Sequence, residues 1–302
     1  MYPHQSKTDI CGLFGNSRQA WYDSQKRHAA FDMQEVLILK LAKALRNEHK
    51  RMGSEKLHHL ISPSLKEHGI KYGRDKFYNL LGEHGLLVKR RKYRPGTTNS
   101  NHFYRKYPNK VREMELHKAG MLWVSDITYI RTELGFVYLS LITDAYSKKI
   151  VGWCLWPDLT SCGALNALKM AVESEGVSPG LIHHSDRGIQ YCCTDYVMSL
   201  QGSKIEISMT ENGDPYENAI AERVNGILKD EYDLQSTFAD YLEASEAVKS
   251  AVSKYNNLRP HASCNYMVPT DAHKNTGKMK KKWYPKKWQK SSDHAFDSAK
   301  IT

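Results

Sequence analysis

The chain has 302 residues, of which 40% are hydrophobic and 25% charged, and its formal net charge is +11. That length permits one substantial core with one or two smaller domains. A mean hydropathy of −0.61 and the lack of an apolar run near ~18 residues argue against a membrane span. The N-terminus lacks the apolar stretch of a signal peptide, so we expect a cytoplasmic protein with no membrane partner.

The first 48 residues are predicted to be helical. Residues near Ile10 form a short apolar face, Gly15 and Asn16 provide a turn, and Ser17 is suited to cap the helix that follows. A longer helix is predicted over Met33–His49. The helix, glycine turn and helix make residues 1–48 a first helix-turn-helix candidate.

A second helix-turn-helix domain is predicted over residues 49–92. Its helices are expected over Glu55–Ser62, which Pro63 ends or restarts, and over Arg74–Glu83. The basic run that begins at Lys89 favours DNA contact by this domain. An ordinary small helical bundle is the alternative.

The positive charge is concentrated in two blocks. Residues 89–112 contain nine Lys or Arg and no acid, and residues 274–290 contain eight Lys and no acid, interleaved with Trp283, Tyr284 and Trp288. Cations contact phosphates, and aromatic rings stack on unpaired bases. We interpret residues 93–115 as a basic linker and residues 274–302 as a basic tail. A solvated, mobile segment without a partner is the alternative for both.

Residues 116–273 show alternating strand and helix patterns and are predicted to form one α/β domain. The predicted strands are Leu122–Arg131, Phe136–Thr143, Ile150–Leu155, Leu181–His184 and Ile205–Ser208. The predicted helices are Ser161–Ser174, Asp195–Leu200, Glu217–Tyr232 and Ala239–Asn256. This order predicts a mixed sheet flanked by helices.

Three acids occupy positions in this domain that favour a functional site. Asp126 lies inside an apolar strand, where a carboxylate costs stability unless it is paired or binds a metal ion. Asp186 ends a strand, where ligands of open α/β sheets bind. Glu222 lies on a helix opposite the apolar stripe, aligned with Asn218, Asn225 and Lys229.

Carboxylates are the ligands that Mg²⁺ prefers, and no Cys-x-x-Cys pair suggests a zinc site instead. Three carboxylates from three elements are enough to hold two Mg²⁺ ions. Two such ions about 4 Å apart activate an attacking oxygen and stabilise the leaving oxygen of a phosphodiester. The residues therefore predict a two-metal site with Asp126, Asp186 and Glu222 as both metal ligands and catalytic groups. A capping or ion-pair role is the alternative for any single acid.

Five sequence motifs resemble those of one family. They are Trp123–Ile130, Thr143–Ser147 continuing through Val151-Gly152-Trp153, His184–Gly188, Asn218–Glu222 and Tyr255–His261. In these motifs the chain resembles the OrfB-type transposases of bacterial insertion sequences with two overlapping reading frames. That family belongs to the superfamily of DDE transposases and retroviral integrases. The 35 residues between Asp186 and Glu222 are typical of it.

The resemblance implies an RNase H-like catalytic domain and DNA cleavage followed by strand transfer at the ends of an insertion sequence. It places the catalytic triad on Asp126, Asp186 and Glu222, and a basic DNA-contacting residue on Lys229. It also implies a homo-multimer that bridges terminal inverted repeats and target DNA near the bacterial nucleoid, together with an upstream-encoded helix-turn-helix subunit or fusion. Mg²⁺ is the expected cofactor, with Mn²⁺ able to substitute.

The candidate DNA contacts combine the basic block, the second helical domain and the polar face of the Glu222 helix. They are Lys229, Asn218, Arg74, Lys89, Arg90, Arg91, Lys92, Arg94, Arg105 and Lys106. Two alternatives to a transposase remain at this point. One is a related RNase H-like nuclease that hydrolyses without joining, and the other is a non-catalytic DNA-binding regulator.

Overall fold

The computed structural model describes residues 11–13, 15, 17–88, 103–112, 114–211 and 218–279, with the backbone alone described for residues 24–32. The helices with described bounds that precede the sheet are α1 (Arg18–Glu48), α2 (Ser54–Glu67) and α3 (Arg74–Glu83). The strands are β1 (Leu122–Thr132), β2 (Gly135–Asp144), β3 (Ile150–Trp156), β4 (Ile182–Ser185), β5 (Glu206–Met209) and β6 (Thr237–Phe238). The later helices are α4 (Ser161–Glu175), α5 (Ile189–Cys192), α6 (Thr194–Gly202), α7 (Ala219–Glu231), α8 (Tyr241–Asn257) and α9 (Pro269–Ala272).

One mixed sheet organises the domain that begins near residue 116. Its strand order is β3-β2-β1-β4-β5, and the short β6 pairs with the far end of β1. β1, β2 and β3 form antiparallel pairs, whereas β4 and β5 run parallel to β1 and to each other. The predicted mixed sheet flanked by helices is confirmed, and so is the helical N-terminal region. Among the residues that the structure describes, no helix is both long and apolar enough to cross a membrane.

The two faces of the sheet carry separate apolar cores because successive strand residues point to opposite faces. Trp123, Ile142 and Val151 pack with α4 and α6 on one face. Ile130, Leu139 and Leu141 pack with α7 and α8 on the other. The sheet is therefore buried on both sides, which is the usual state of sheets with parallel strands.

Gly152 on β3 allows α4 to approach the sheet closely. A Cβ atom at this position would lie 2.1 Å from the carbonyl oxygen of Ala167 and 2.9 Å from the Cβ of Ala171. We expect Gly152→Ala to lower the free energy of unfolding by about 1–3 kcal/mol, the usual cost of overpacking. Gly226→Ala is the matched control, since a Cβ there meets nothing within 4 Å, and it should gain about 0.5–1 kcal/mol from helix propensity. Urea unfolding measures both, and equal stability of the two variants would contradict this packing argument.

The N-terminal helices pack around a third core that includes Ile38, Leu57 and Phe77. α3 has the predicted bounds, but two other predictions are wrong. α1 is one helix of 31 residues, because the segment between the two predicted helices contains neither Gly nor Pro to interrupt it. Pro63 lies inside α2, where the buried Ile61 and Leu65 on either side of it hold the helix against the core.

The helical region contacts the sheet domain through the C-terminal ends of α1 and α7. His49 Nδ1 lies 3.1 Å from the Tyr232 hydroxyl, and Lys50 Nζ forms an ion pair at 2.7 Å with Asp233. Behind them, Arg259 donates two hydrogen bonds of 2.7 Å to Glu231, and both side chains are buried. Arg259 therefore stabilises the fold through this buried ion pair.

His49 should make the stability of this contact pH-dependent. Burial lowers the pKa of His49 to about 4, so the ring is neutral in the folded protein. The charged groups that act on it are Glu231, Arg259, Glu48 and Lys254. The folded pKa lies below the unfolded value near 6.5, so the contribution of the neutral His49 ring to the free energy of unfolding is complete above about pH 6.5. That contribution is lost as pH falls toward 4, because the unfolded chain then gains a proton that the folded protein does not.

Between pH 7.5 and pH 5 the wild-type free energy of unfolding is expected to fall by about 2 kcal/mol more than that of His49→Gln. Chemical unfolding of both proteins at several pH values measures this difference. Parallel pH profiles for the two proteins would show that His49 does not titrate on unfolding.

Candidate active site

Asp126 lies in the middle of β1. The neighbouring strand β4 pairs with β1 only as far as Val124, so β4 does not pair with β1 at Asp126. Its two carboxylate oxygens accept different hydrogen bonds. Oδ1 accepts one of 2.9 Å from the backbone N–H of Ile127, and Oδ2 accepts one of 2.7 Å from Nδ2 of Asn225 on α7. One side of this carboxylate is thus held by its own strand and the other by the crossing helix.

Asp186 reaches the same level on the neighbouring strand. The last residue pair of the parallel β1–β4 ladder is Val124 with His184, and Asp126 and Asp186 each follow that pair by two residues. Adjacent strands lie about 4.8 Å apart, so the shared offset places the two acids side by side. Asp186 Oδ1 accepts a hydrogen bond of 2.9 Å from the N–H of Gly188, which shapes the turn after β4.

Glu222 belongs to the first turn of α7, and two asparagines fix this helix on β1. Asn218 is buried, and its Nδ2 donates a 3.0 Å hydrogen bond to the carbonyl of Ser125. Asn225 makes the bond to Asp126 described above. The helix therefore approaches the strand at Asp126, and the exposed Glu222 lies near enough to interact electrostatically with Asp126 and Asp186.

The three carboxylates act on one another electrostatically. Burial, followed by the negative charge of Asp186 and, more weakly, of Glu222, raises the pKa of Asp126 to about 7, although the Asn225 and Ile127 hydrogen bonds oppose the shift. Burial and then Asp186 also raise the pKa of Glu222. Mutual repulsion on this scale is what a nearby cation relieves.

The donor chemistry of this group suits a hard divalent cation, since it offers carboxylate oxygens from three elements. Within the described ranges, no three His, Cys, Asp or Glu side chains are gathered closely enough to hold a metal ion. The three acids thus influence one another's pKa values, but in this structure they are not close enough together to bind one metal ion. Residues 212–217, directly before α7, lie outside the described residues.

The predicted DNA contacts lie in three places. Lys229 is half-buried on α7, with its Nζ 4.0 Å from the centre of the Tyr129 ring. Arg105 and Lys106 are exposed, and Arg74 is exposed at the start of α3, 3.2 Å from Asp75. The predicted contacts Lys89, Arg90, Arg91, Lys92 and Arg94 lie outside the described residues. As DNA contacts, all of these residues and the buried Asn218 stay predictions.

Asp144 and His184 have structural roles. Asp144 is fully buried and accepts hydrogen bonds of 2.8 Å from the Gly120 N–H and from the N–H and hydroxyl of Ser147. Asp144 therefore caps the turn after β2. His184 is buried with its Nδ1 2.8 Å from the Ser208 hydroxyl, a contact that holds β4 against β5.

Sequence reasoning overlooked Asn225 as a site residue. The structure places its side chain, 5% exposed, directly on Asp126. The one available signal is its position three residues after Glu222, on the same face of the helix. That signal shows which residues share a face, but not which strand the face meets.

Comparison with known proteins supports one family. A family model described as "Integrase core domain" matches residues 117–215, and a second model with the same description matches residues 203–269. The insertion element IS600 uncharacterized 31 kDa protein of Shigella sonnei is 33% identical over 86% of this chain and 96% of its own length. The transposase for insertion sequence element IS904 of Lactococcus lactis is 31% identical over 80% of this chain and 94% of its own length.

Among solved structures, the HTLV-2 integrase catalytic core domain in complex with magnesium is similar to this chain. It covers 52% of this chain and 97% of its own, with 18% sequence identity and a TM-score of 0.43.

Fold, carboxylates and relatives together define a DDE-type transposase or integrase with an RNase H-like catalytic domain. The chain belongs to the insertion-sequence transposases that carry an integrase core domain. Its function is DNA transposition and integration.

Proposed function

We propose that Asp126, Asp186 and Glu222 form the catalytic site at which this transposase cleaves the ends of its insertion sequence and joins them to target DNA. The observation that carries the proposal is the coupled set of three acids on β1, the end of β4 and α7, in which Asp126 has a pKa of about 7. Acids whose pKa is perturbed by burial and by neighbouring carboxylates are typical of functional sites.

The three carboxylates would hold divalent cations, for which we propose two Mg²⁺ ions, with Mn²⁺ able to substitute. When bound, the ions supply activation of the attacking oxygen and stabilisation of the leaving oxygen of a phosphodiester. Asn225 keeps the Asp126 carboxylate oriented through its 2.7 Å hydrogen bond. Asn218 holds the first turn of α7, and with it Glu222, against β1.

The reaction proceeds in two chemical steps at this one site. Water first attacks the phosphodiester at the element end and releases a 3′-hydroxyl. That hydroxyl then attacks a phosphodiester of the target, so one bond forms as another breaks and no covalent protein intermediate is involved. Lys229, which lies on the same helix as Glu222 and acts on Asp126 electrostatically, contacts the DNA backbone beside the reacting phosphate.

The remaining candidate contacts carry DNA toward this site. Arg74 on α3, the exposed Arg105 and Lys106, and the basic residues 89–94 would bind phosphates of the terminal repeats or the target. We further propose that the chain works as a homo-multimer bridging two element ends in the bacterial cytoplasm. An upstream-encoded helix-turn-helix subunit or fusion would contribute further DNA contacts.

The test uses the full chain with end-labelled DNA of the element terminus, a target plasmid and Mg²⁺. Cleavage at the element end and a labelled product joined to the target are both expected. Cleavage without any joined product would identify a nuclease instead. Binding without either product would identify a DNA-binding regulator.

A further inference from the structure

An exposed pair of aromatic rings lies on the hairpin of β1 and β2, close to the carboxylates. Tyr129 is 54% exposed and Phe136 is 48% exposed. The rings meet edge to face with centroids 5.3 Å apart. Solvent reaches about half of each side chain, so burial in the core does not account for two large rings at these positions.

Two cations complete this surface. Lys229 Nζ lies 4.0 Å from the centre of the Tyr129 ring, and the Arg131 guanidinium lies 5.6 Å from the centre of the Phe136 ring. Among the described residues, neither cation lies within ion-pairing distance of a carboxylate, although Asp126 and Asp230 attract Lys229 from farther away. Both cations therefore still have donors to offer to an anion such as a phosphate. We call Tyr129, Phe136, Lys229 and Arg131 the aromatic platform.

The platform begins at the candidate active site and leads away from it along β1. Tyr129 follows Asp126 by three residues, about 10 Å along the strand and on its opposite face. Lys229 on the Glu222 helix connects the two, since its Nζ lies against the Tyr129 ring and is attracted by Asp126. β1 pairs with β4 only through Val124 and with β6 only from Arg131. Between these pairs, no described strand is paired with this edge of β1, which runs from the candidate active site to the platform.

We propose that the aromatic platform binds unpaired nucleotides of the DNA end whose phosphodiester reacts at Asp126, Asp186 and Glu222. Unpaired bases stack on exposed aromatic rings, and the accompanying cations contact the phosphates. In a paired duplex the base faces are covered by neighbouring bases, so stacking on the platform selects DNA whose end has opened. The inference rests on the proposed function for the position of the reacting phosphate.

An alternative explanation is that the rings only stabilise the hairpin, since cross-strand aromatic pairs contribute about 0.2–1 kcal/mol. The cations favour the DNA explanation, because a pair that merely stabilised the sheet would not need an unpaired charge on each ring. A hairpin role also predicts no difference between paired and unpaired DNA.

The experiment measures binding of two labelled probes to the full chain by fluorescence anisotropy, in EDTA so that no cleavage occurs. One probe is a fully paired duplex of mixed sequence, and the other is the same duplex with a few unpaired nucleotides at one 3′ end. The wild-type chain should bind the second probe more tightly. Tyr129→Ala should lose about 5- to 100-fold of affinity for that probe, with little change for the paired probe, whereas Tyr129→Phe should retain the preference.

Leu134→Ala is the matched control, since Leu134 is 87% exposed in the turn of the same hairpin and should bind both probes like the wild type. If urea unfolding shows that Tyr129→Ala is destabilised, Tyr129→Leu replaces it. A wild-type preference that survives both substitutions, or an equal loss for both probes, would overturn the proposal. Asp126→Asn should keep the preference, so failure of the catalytic assignment is distinguishable from failure of the platform.

Discussion

Replacing Asp126 by Asn or Glu222 by Gln is expected to abolish both DNA cleavage and strand transfer while leaving DNA binding intact. Each substitution removes one negative charge and one oxygen of the proposed metal ligands but keeps the size of the side chain. We expect activity in Mg²⁺ to fall by roughly 10³-fold or more, because loss of a single stabilising group in a preorganised site already costs about 10²–10³-fold. Gel analysis of end-labelled DNA measures both steps.

Glu133→Gln provides the control for this loss of charge. Glu133 is exposed in the turn between β1 and β2, on the same hairpin as Asp126, and its neutralisation should leave both steps at the wild-type rate. If Asp126→Asn and Glu222→Gln also retained full activity in Mg²⁺, the catalytic assignment would be wrong.

Stability offers a second measure of the same site. The pKa of Asp126 is raised to about 7 by burial and by the neighbouring acids, so ionisation of this carboxyl opposes folding as pH rises through 7. Without metal at pH 8, Asp126→Asn should therefore be at least as stable as the wild type. A group that reduces stability in the free protein yet is required for activity is serving function rather than fold.

Removing the buried carboxylate of Glu231 is expected to have the largest effect on stability. Arg259 is held by two hydrogen bonds of 2.7 Å to Glu231, and its third nitrogen, Nη1, has no hydrogen-bond partner among the described residues. Glu231→Gln leaves this cation buried without its counter-charge. Such losses cost about 3–5 kcal/mol, which urea unfolding at neutral pH would measure.

The cationic groups around Glu231 extend the effect to the helical region. Burial and then repulsion by Arg259 lower the pKa of Lys56 to about 8, while Glu231 opposes the shift. Arg46 on α1 is half-buried and is attracted by Glu231. Loss of this one carboxylate thus leaves cations from α1, α2 and the segment after α8 unbalanced, and we expect the helical region to detach before the sheet domain unfolds.

Two comparisons test this explanation. Glu206→Gln breaks an exposed ion pair with Lys110 and should cost no more than about 1 kcal/mol. Replacing both members of the buried pair, with Glu231→Leu and Arg259→Met, should recover much of the stability that Glu231→Gln loses. A cost below 1 kcal/mol for Glu231→Gln would show that the buried pair does not hold the two regions together.

Much of the sheet domain could be predicted because its elements are long and regular. The strands and helices from Leu122 to Asn257 were placed within a few residues, since apolar spacing records which face of each element is buried. The elements that were missed, α5, β6, α9 and the 3-10 helix Ala262–Cys264, have two to four residues each. β6 exists only because it pairs with the end of β1, and a segment of two residues carries no periodic signal of its own.

The three acids could be selected from the sequence because residue type, position in an element and motif spacing all indicated them. Their relationship could not be read in the same way. Asp126 and Asp186 are 60 residues apart in the chain, and only the β1–β4 register places both two residues beyond the same pair. Asn225 shows the same limit, since its helix position was visible but its partner was not.

The sequence by itself determined the class of the protein, its sheet and the identity of its acids, because these depend on local residue pattern and on motifs. Tertiary structure alone decided how the acids affect one another, which asparagine holds Asp126 and which rings stand beside the site. It also decided how the helical region docks through His49 and the Glu231–Arg259 pair. Those properties depend on distances between elements far apart in the chain, and burial and repulsion arise only once such elements are packed together.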